Sequence, residues 1–149
     1  MQFKRSPIIS EQSPLLLFTR RMRMIKNISP HSVAETMDKL EAAIKEKGIP
    51  IVARVNHAAA AHKADLQLRP TEILIFGNPL LGTPLMQSSQ SISLDLPLRI
   101  AVWEDESGTT KIAYHDPGIV TASHGITDKN EIVAKMTTVL EGLVNTVSK

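Results

Sequence analysis

An α+β fold, in which two main helices cover one face of a mostly antiparallel sheet in a two-layer sandwich, is the class this sequence predicts. Three observations point to it. Two long stretches carry apolar residues at helical spacing, short β-branched runs lie between them, and a hairpin sorts its side chains by parity onto two faces. The expected order is β-α-β-β-β-β-α with short extra helices. At 149 residues with 42% hydrophobic and 21% charged residues, the chain can bury one continuous core without disulfides or a structural metal.

Residues 1–14, with Pro7, Ser10, Ser13 and Pro14, show no period and read as a flexible tail; residues 15–149 read as a single domain. From Leu15 the chain is strand-like. Phe18, Met22 and Met24 fall on one side of a period-2 ladder, Ile25 breaks the alternation as a bulge would, and the whole reads as an edge strand.

Ser32-Val-Ala-Glu35 is a capping box, and Val33, Met37, Leu40 and Ile44 follow as the stripe of an amphipathic helix that ends at Gly48. Glu35 with Lys39, and Glu41 with Lys45, are i,i+4 pairs on its wet face. The β-branched run Ile51 to Val55 predicts a central strand. Asn56 caps an alanine-rich helix from His57 to about Ala64.

Glu72 to Gly77 is a third strand, ending in Asn78-Pro79, a turn that caps a new helix; Thr83-Pro84 and the small residues Gln87 to Ser93 make that helix short or irregular. Leu98 to Glu104 and Thr110 to His115 flank a turn and form the hairpin. Leu98, Ile100, Val102, Ile112 and Tyr114 share its core face with Glu104 and Asp116 at the ends, while Arg99, Trp103, Lys111 and His115 share the other. Asp116-Pro117 reads as the start of a turn. Asp128 and Glu131 cap a last helix striped by Ile132, Met136, Val139, Leu140, Leu143 and Val147.

Charge and composition exclude several function classes. Without cysteine there is no thiol chemistry, iron–sulfur cluster or cysteine zinc site. Residues 1–28 carry six Lys/Arg against one acid, and 29–149 carry eleven against fourteen, so only the beginning is basic. With 3% aromatic residues there is little on which nucleic-acid bases could stack, and Arg20, Arg21 and Arg23 read as solvated edge charges. No apolar run approaches the ~20 residues of a membrane span, and Leu15 to Phe18 is too short for a signal core, so the expected compartment is the cytoplasm. The residues call for no cofactor and no nucleic-acid or membrane partner.

The segment Phe76 to Met86 is the most distinctive. A strand that stops at Gly77 and enters a helix through Asn78-Pro79 presents backbone N–H groups suited to an anion, with Asn78 and Thr83 as added donors. The same residues are explained without a ligand if Asn78 caps, Gly82 permits close backbone approach and Thr83 bonds a local carbonyl. No Gly-Lys-Ser/Thr follows, so it is not a phosphate loop.

His57 and His62 sit about 140° apart on a helix and cannot share one metal ion. His57 alone, at a strand-to-helix junction, suits a general base or a haem ligand, or simply bonds its neighbours. His31 and His124 read as solvated. Asp95, Glu104, Tyr114 and Asp116 project toward the ends of the sheet's core face, where they would make a buried acid cluster if they met; placing Glu104 and Asp95 in turns, with Asp116-Pro117 beginning one, accounts for them individually and is the preferred reading.

The strings Arg54-Val-Asn-His57-Ala-Ala, Leu68 to Pro79 with its Phe-Gly-Asn-Pro, Gly82-Thr-Pro-Leu-Met86, Asp95-Leu-Pro-Leu-Arg99, Val102-Trp-Glu-Asp105 and Tyr114-His-Asp-Pro117 resemble the bacterial domain-of-unknown-function 302 family from about Met22 to the C-terminus. The resemblance implies a compact α+β domain similar in topology to half of a TATA-binding protein, and homodimers. Likeness to a DNA-binding fold does not confer DNA binding. The family usually has Asp where this chain has Asn56 and Asn where it has His115, which alters local charge beside His57 and Asp116. The first twenty or so residues exceed the usual family start, which makes Met22 or Met24 a candidate initiator.

Three functions follow as expectations. The first is a dimeric module that binds a small molecule or anion, with Asn78, Gly82, Thr83, His57, Asp95 and Glu104 as ligand residues. The second is an enzyme using His57, Tyr114 and Asp116 in acid–base chemistry. The third is a structural or regulatory dimer without a pocket.

Overall fold

Five strands form one wholly antiparallel sheet in a computed structural model that describes residues 24–149. The strands are β1 (Met24–Ser29), β2 (Ile51–Asn56), β3 (Thr71–Phe76), β4 (Leu98–Glu104) and β5 (Thr110–His115), in spatial order β1-β5-β4-β3-β2. The helices are α1 (Val33–Glu46), α2 (His57–Lys63), α3 (Pro79–Ser88), α4 (Pro117–Ser123) and α5 (Asn130–Val147), with a 3₁₀ turn at Gln90–Leu94. The α+β class and the expected element order hold.

The main core lies between the sheet and the pair α1 and α5. Val33, Met37, Leu40 and Ile44 of α1 meet Leu140, Leu143, Val144 and Val147 of α5 over Leu74, Phe76, Ile100, Val102, Ile112 and Tyr114 of the sheet. The parity of the hairpin and the two helical stripes therefore sorted these residues correctly. A smaller core of Leu85, Ile92, Val120, Ile126 and Met136 fills the space beneath α3, the 3₁₀ turn and α4. Among the described residues neither core draws on the sheet's other face, where Ile73, Ala101 and Trp103 are partly exposed.

Caps account for several helix starts. Ser32 Oγ accepts from Glu35 N at 3.2 Å, Asn56 Oδ1 from Ala59 N at 2.9 Å, and Asn78 Oδ1 from Leu80 N at 2.9 Å.

Other expectations are corrected. The tail, the strand residues from Leu15 and the Arg20, Arg21, Arg23 cluster lie outside the described residues. Ile25 is no bulge: β1 pairs with β5 in unbroken register and Ile25 packs on the core, while Met24 points outward. The bulge is in β2, between Ile51 and Ala53, and β2 is an edge strand rather than a central one, because β-branched residues suit either place. Asp116-Pro117 starts a helix, α4, with Asp116 Oδ1 accepting from Gly118 N at 2.8 Å. Asp128 does not cap α5; its Oδ1 accepts from Ser88 Oγ at 3.2 Å, and α5 begins without a side-chain cap.

Candidate functional site

At the Asn78-Pro79 turn the backbone donors expected for an anion are already used. Leu80 N–H is taken by Asn78 Oδ1, Leu81 and Gly82 N–H both donate to the Asn78 carbonyl, and Pro79 has none. The turn is a paired helix start, so its Leu80, Leu81 and Gly82 N–H groups are not open to an anion.

The same turn instead forms one wall of an open groove of about 430 Å³. Pro50 and Val52 of the β2 edge make one side, Leu81, Gly82 and Met86 of α3 another, and Leu96 and Pro97 close the third. Apolar surface dominates this lining. Asn78 and Thr83 also line it, and neither the Asn78 amide nitrogen nor the Thr83 hydroxyl donates to another described residue. Gly82 leaves room on the α3 wall, where an added Cβ would stand 3.7 Å from Leu96 Cδ1 and 3.9 Å from Met86 Cε.

The remaining expected residues do not gather here. Phe76 pairs with Ile51 at the groove end of the β2–β3 ladder and Glu72 with Asn56 at the far end, so His57 lies about 17 Å of strand away from Asn78. His57 is exposed on a helix with no buried residue. Tyr114 is on β5, three strand spacings or about 14 Å from β2, so the set His57, Tyr114 and Asp116 is not a catalytic constellation. Parity places residues on a face but not at a common end, and that is why the three looked close.

The acid cluster likewise separates. Glu104 ends β4 and Asp95 precedes its start, about 20 Å apart along the strand. Tyr114 and Asp116 stay close along the chain, and Asp95 lies at their end of the sheet, lining a pocket with His115 and Pro117. Burial pushes the Tyr114 phenol up from its ordinary value, with Glu141 and then Asp116 adding negative charge nearby.

Asp95 has a different role from the one expected. Its Oδ2 lies 2.6 Å from His124 Nε2, its Oδ1 lies 3.8 Å from the Arg99 guanidinium, and His124 Nδ1 lies 2.7 Å from Ser91 Oγ. His124 is thus no solvated edge residue: its side chain is only 12% exposed. No local signature in the sequence announces this contact, because the three residues come from the 3₁₀ turn, its C-cap and the C-cap of α4, and only the fold brings them together.

A family model described as "Domain of unknown function DUF302" matches residues 25–143. The chain belongs to this family. A crystal structure of an uncharacterized conserved DUF302 protein from Bacillus stearothermophilus superposes with a TM-score of 0.75 at 20% identity, covering 85% of this chain and 98% of that one, and so shares the fold. Among curated proteins, "Fluoride-specific ion channel FluC 1" of Brucella suis is 43% identical over 107 residues, and the protein of the same name from Brucella abortus is also 43% identical over 107 residues. These matches cover 72% of this DUF302 chain but only 42% and 40% of the Brucella proteins. Among the described residues no helix is long and apolar enough to cross a membrane.

Proposed function

We propose that this DUF302 domain binds a small, largely apolar molecule carrying a hydrogen-bond acceptor, in the groove beside Asn78. The observation that carries this reading is the apolar groove of about 430 Å³ with an uncommitted amide donor on its wall. Ligand sites combine apolar walls with a few placed polar groups, and 430 Å³ falls within their usual range. Pro50, Val52, Leu81, Met86 and Leu96 supply the walls; Asn78 and Thr83 fix orientation. Anions are disfavoured there, because the backbone N–H groups of Leu80, Leu81 and Gly82 are paired and, among the described residues, no cation lines the groove.

The Brucella relatives give the reading a context. In them a region similar to this chain accounts for about two-fifths of a protein named as a fluoride channel. A domain joined in one chain to a channel suits a sensing part, reporting a ligand to a separate activity. For the present chain the reading is a ligand-sensing module of the cytoplasm.

A second copy of the chain is the proposed partner, and the observation favouring it is the sheet face left partly exposed by the described residues. Its β2–β4 half presents Ala53, Val55, Ile73, Ile75, Ala101 and Trp103 as an apolar patch with Arg99 at its margin opposite Ile75. Such a patch marks an interaction surface more often than a solvated one.

The test is a titration with short ketones, amides and esters followed by amide NMR. Wild type is expected to shift signals of Gly82, Thr83 and Leu96. Asn78→Asp keeps the oxygen that caps α3 and loses the amide donor, so affinity for acceptor-bearing ligands should fall about tenfold, the worth of one hydrogen bond, with the fold unchanged. Shifts clustered elsewhere, or equal affinity in the variant, would count against the groove.

A further inference from the structure

We propose that Ser91, His124 and Asp95 form a nucleophilic acyl-transfer site whose substrates are small, unhindered carboxylic esters. It is independent of the groove beside Asn78. The contact chain is continuous: Ser91 Oγ to His124 Nδ1 at 2.7 Å, then His124 Nε2 to Asp95 Oδ2 at 2.6 Å.

Proton positions follow from the donor and acceptor inventory. The Asp95 carboxylate can only accept, so His124 Nε2 carries the ring hydrogen and Nδ1 presents its lone pair. Ser91 must then donate into Nδ1, and Ser89 Oγ, 3.0 Å from Ser91 Oγ, donates in turn to the serine oxygen. A hydroxyl bonded to a base that is itself oriented by a third group is the arrangement that activates a serine. Here the ring presents Nδ1 to the serine and Nε2 to the carboxylate, the reverse of the serine proteases. Roles rather than ring positions define such a site, and a neutral imidazole accepts through whichever nitrogen lacks the hydrogen.

Burial is graded in the sense the chemistry needs. Asp95 and His124 side chains are 16% and 12% exposed, whereas Ser91 is exposed on the 3₁₀ turn. Arg99, 3.8 Å from the second oxygen of Asp95, supplies a cationic neighbour to the carboxylate. The base and its orienting group are shielded while the nucleophile faces solvent. Ser91 does not line the groove, so the selection is for an accessible carbonyl and a good leaving group rather than for a shaped acyl chain.

The step balances without a cofactor. Ser91 Oγ bonds to the ester carbonyl carbon as its proton passes to His124 Nδ1 and the carbonyl pair moves onto oxygen. Collapse breaks the bond to the leaving oxygen, which takes the proton from Nδ1 and departs as alcohol or phenol. Water then gives a proton to Nδ1, attacks the acyl–serine carbon, and expels Ser91 Oγ, which regains its proton. Ester and water become acid and alcohol.

The experiment uses the full chain with a fluorophosphonate probe and 4-nitrophenyl acetate, with peptide mass mapping of the adduct. The expected result is a single adduct on Ser91. Its formation should slow about 100-fold or more in His124→Gln, the least worth of a positioned general base, and vanish in Ser91→Ala. Ser107→Ala, in the β4–β5 turn, should label at the wild-type rate. An adduct on another residue, no adduct on folded wild type, or an unchanged rate in His124→Gln would overturn the proposal. Ser91→Ala removes only an exposed hydroxyl, and a melting curve confirms its fold, so the test stands even if His124→Gln unfolds.

Discussion

Arg54 on β2 and Glu72 on β3 are joined across the strand pair, with Arg54 Nε 2.9 Å from Glu72 Oε1. The same guanidinium reaches Asp38 at 2.6 Å and Glu41 at 3.2 Å on α1, so one side chain ties the edge strand to its neighbour and to the helix above. Glu72 is 8% exposed and depends on this cation. Arg54 is held in its charged form well beyond the ordinary arginine value, chiefly by Glu72. Arg54→Met leaves that carboxylate buried without its cation. It should cost about 2–3 kcal/mol, below the full figure for breaking a buried pair because Arg54 is 26% exposed. Adding Glu72→Leu should restore most of the loss. Urea unfolding of the two variants checks this, and a double variant no more stable than the single one would show that the pairing is not the cause.

Glu41 links this network to acid stability. Its carboxyl is held below the ordinary value of 4.5, first by its hydrogen bond to Lys45 and then by Arg54. A carboxylate depressed in the folded state stabilises above its unfolded value, and that stability is lost as pH falls through the folded value. Melting temperature should therefore decline below about pH 4.5, and Glu41→Gln should flatten that decline while lowering stability at pH 7. Thermal melts from pH 2 to 7 measure both.

Tyr114 sets the alkaline side. Its phenol is pushed above the ordinary value of 10.0 by burial, and then by Glu141 and Asp116, so the fold favours the neutral form. Stability from this group is complete below pH 10 and is lost as pH rises through the folded value. Tyr114→Phe should leave the melting temperature near neutrality within a few degrees and reduce its fall above pH 10. Identical alkaline curves for both proteins would remove Tyr114 as the cause.

Gly82 separates the groove from the stability of α3. Nothing but ordinary van der Waals contact awaits a Cβ there, and glycine inside a helix costs about 0.5–1 kcal/mol relative to alanine. Gly82→Ala should raise stability by up to that amount while placing a methyl on the groove wall and weakening ligand binding. Higher stability with unchanged affinity would show that the ligand sits away from α3.

The helices and the hairpin were legible because their signals are periodic: Val33, Met37, Leu40 and Ile44 mark one face at one spacing, and parity in β4 and β5 sorts Ile100 and Ile112 from Trp103 and Lys111. Asn56, Asn78 and Ser32 were legible as caps for the same local reason. What could not be read was which strand ends lie together. Strand order placed β2 at the edge and set His57 at the opposite end of the β2–β3 ladder from Asn78, undoing two groupings that looked reasonable along the chain. Asp95 and His124, twenty-nine positions apart, meet at 2.6 Å through tertiary packing that leaves no local pattern.

The partly exposed sheet face yields the last prediction. Lys26, Lys111 and His115 lie on β1 and β5 and Arg99 near the start of β4 opposite Ile75, whereas Val55, Ile73, Ala101 and Trp103 are the apolar residues of the β2–β4 half. A two-fold axis through the apolar half brings Ile73 near its own copy and leaves the cations at the rim, where water screens their repulsion. Ile73→Glu would then place two like charges close together at a dry contact, while disturbing the monomer little because the side chain faces away from the helices. Sedimentation at matched concentration should show a dimer for wild type and a monomer for Ile73→Glu, with melting at low concentration nearly unchanged. A wild-type monomer, or a variant that still dimerises, would move the interface off this face. Lys111→Glu, at the β5 side, distinguishes the two halves: if the contact is confined to β2–β4, this change should leave the dimer intact.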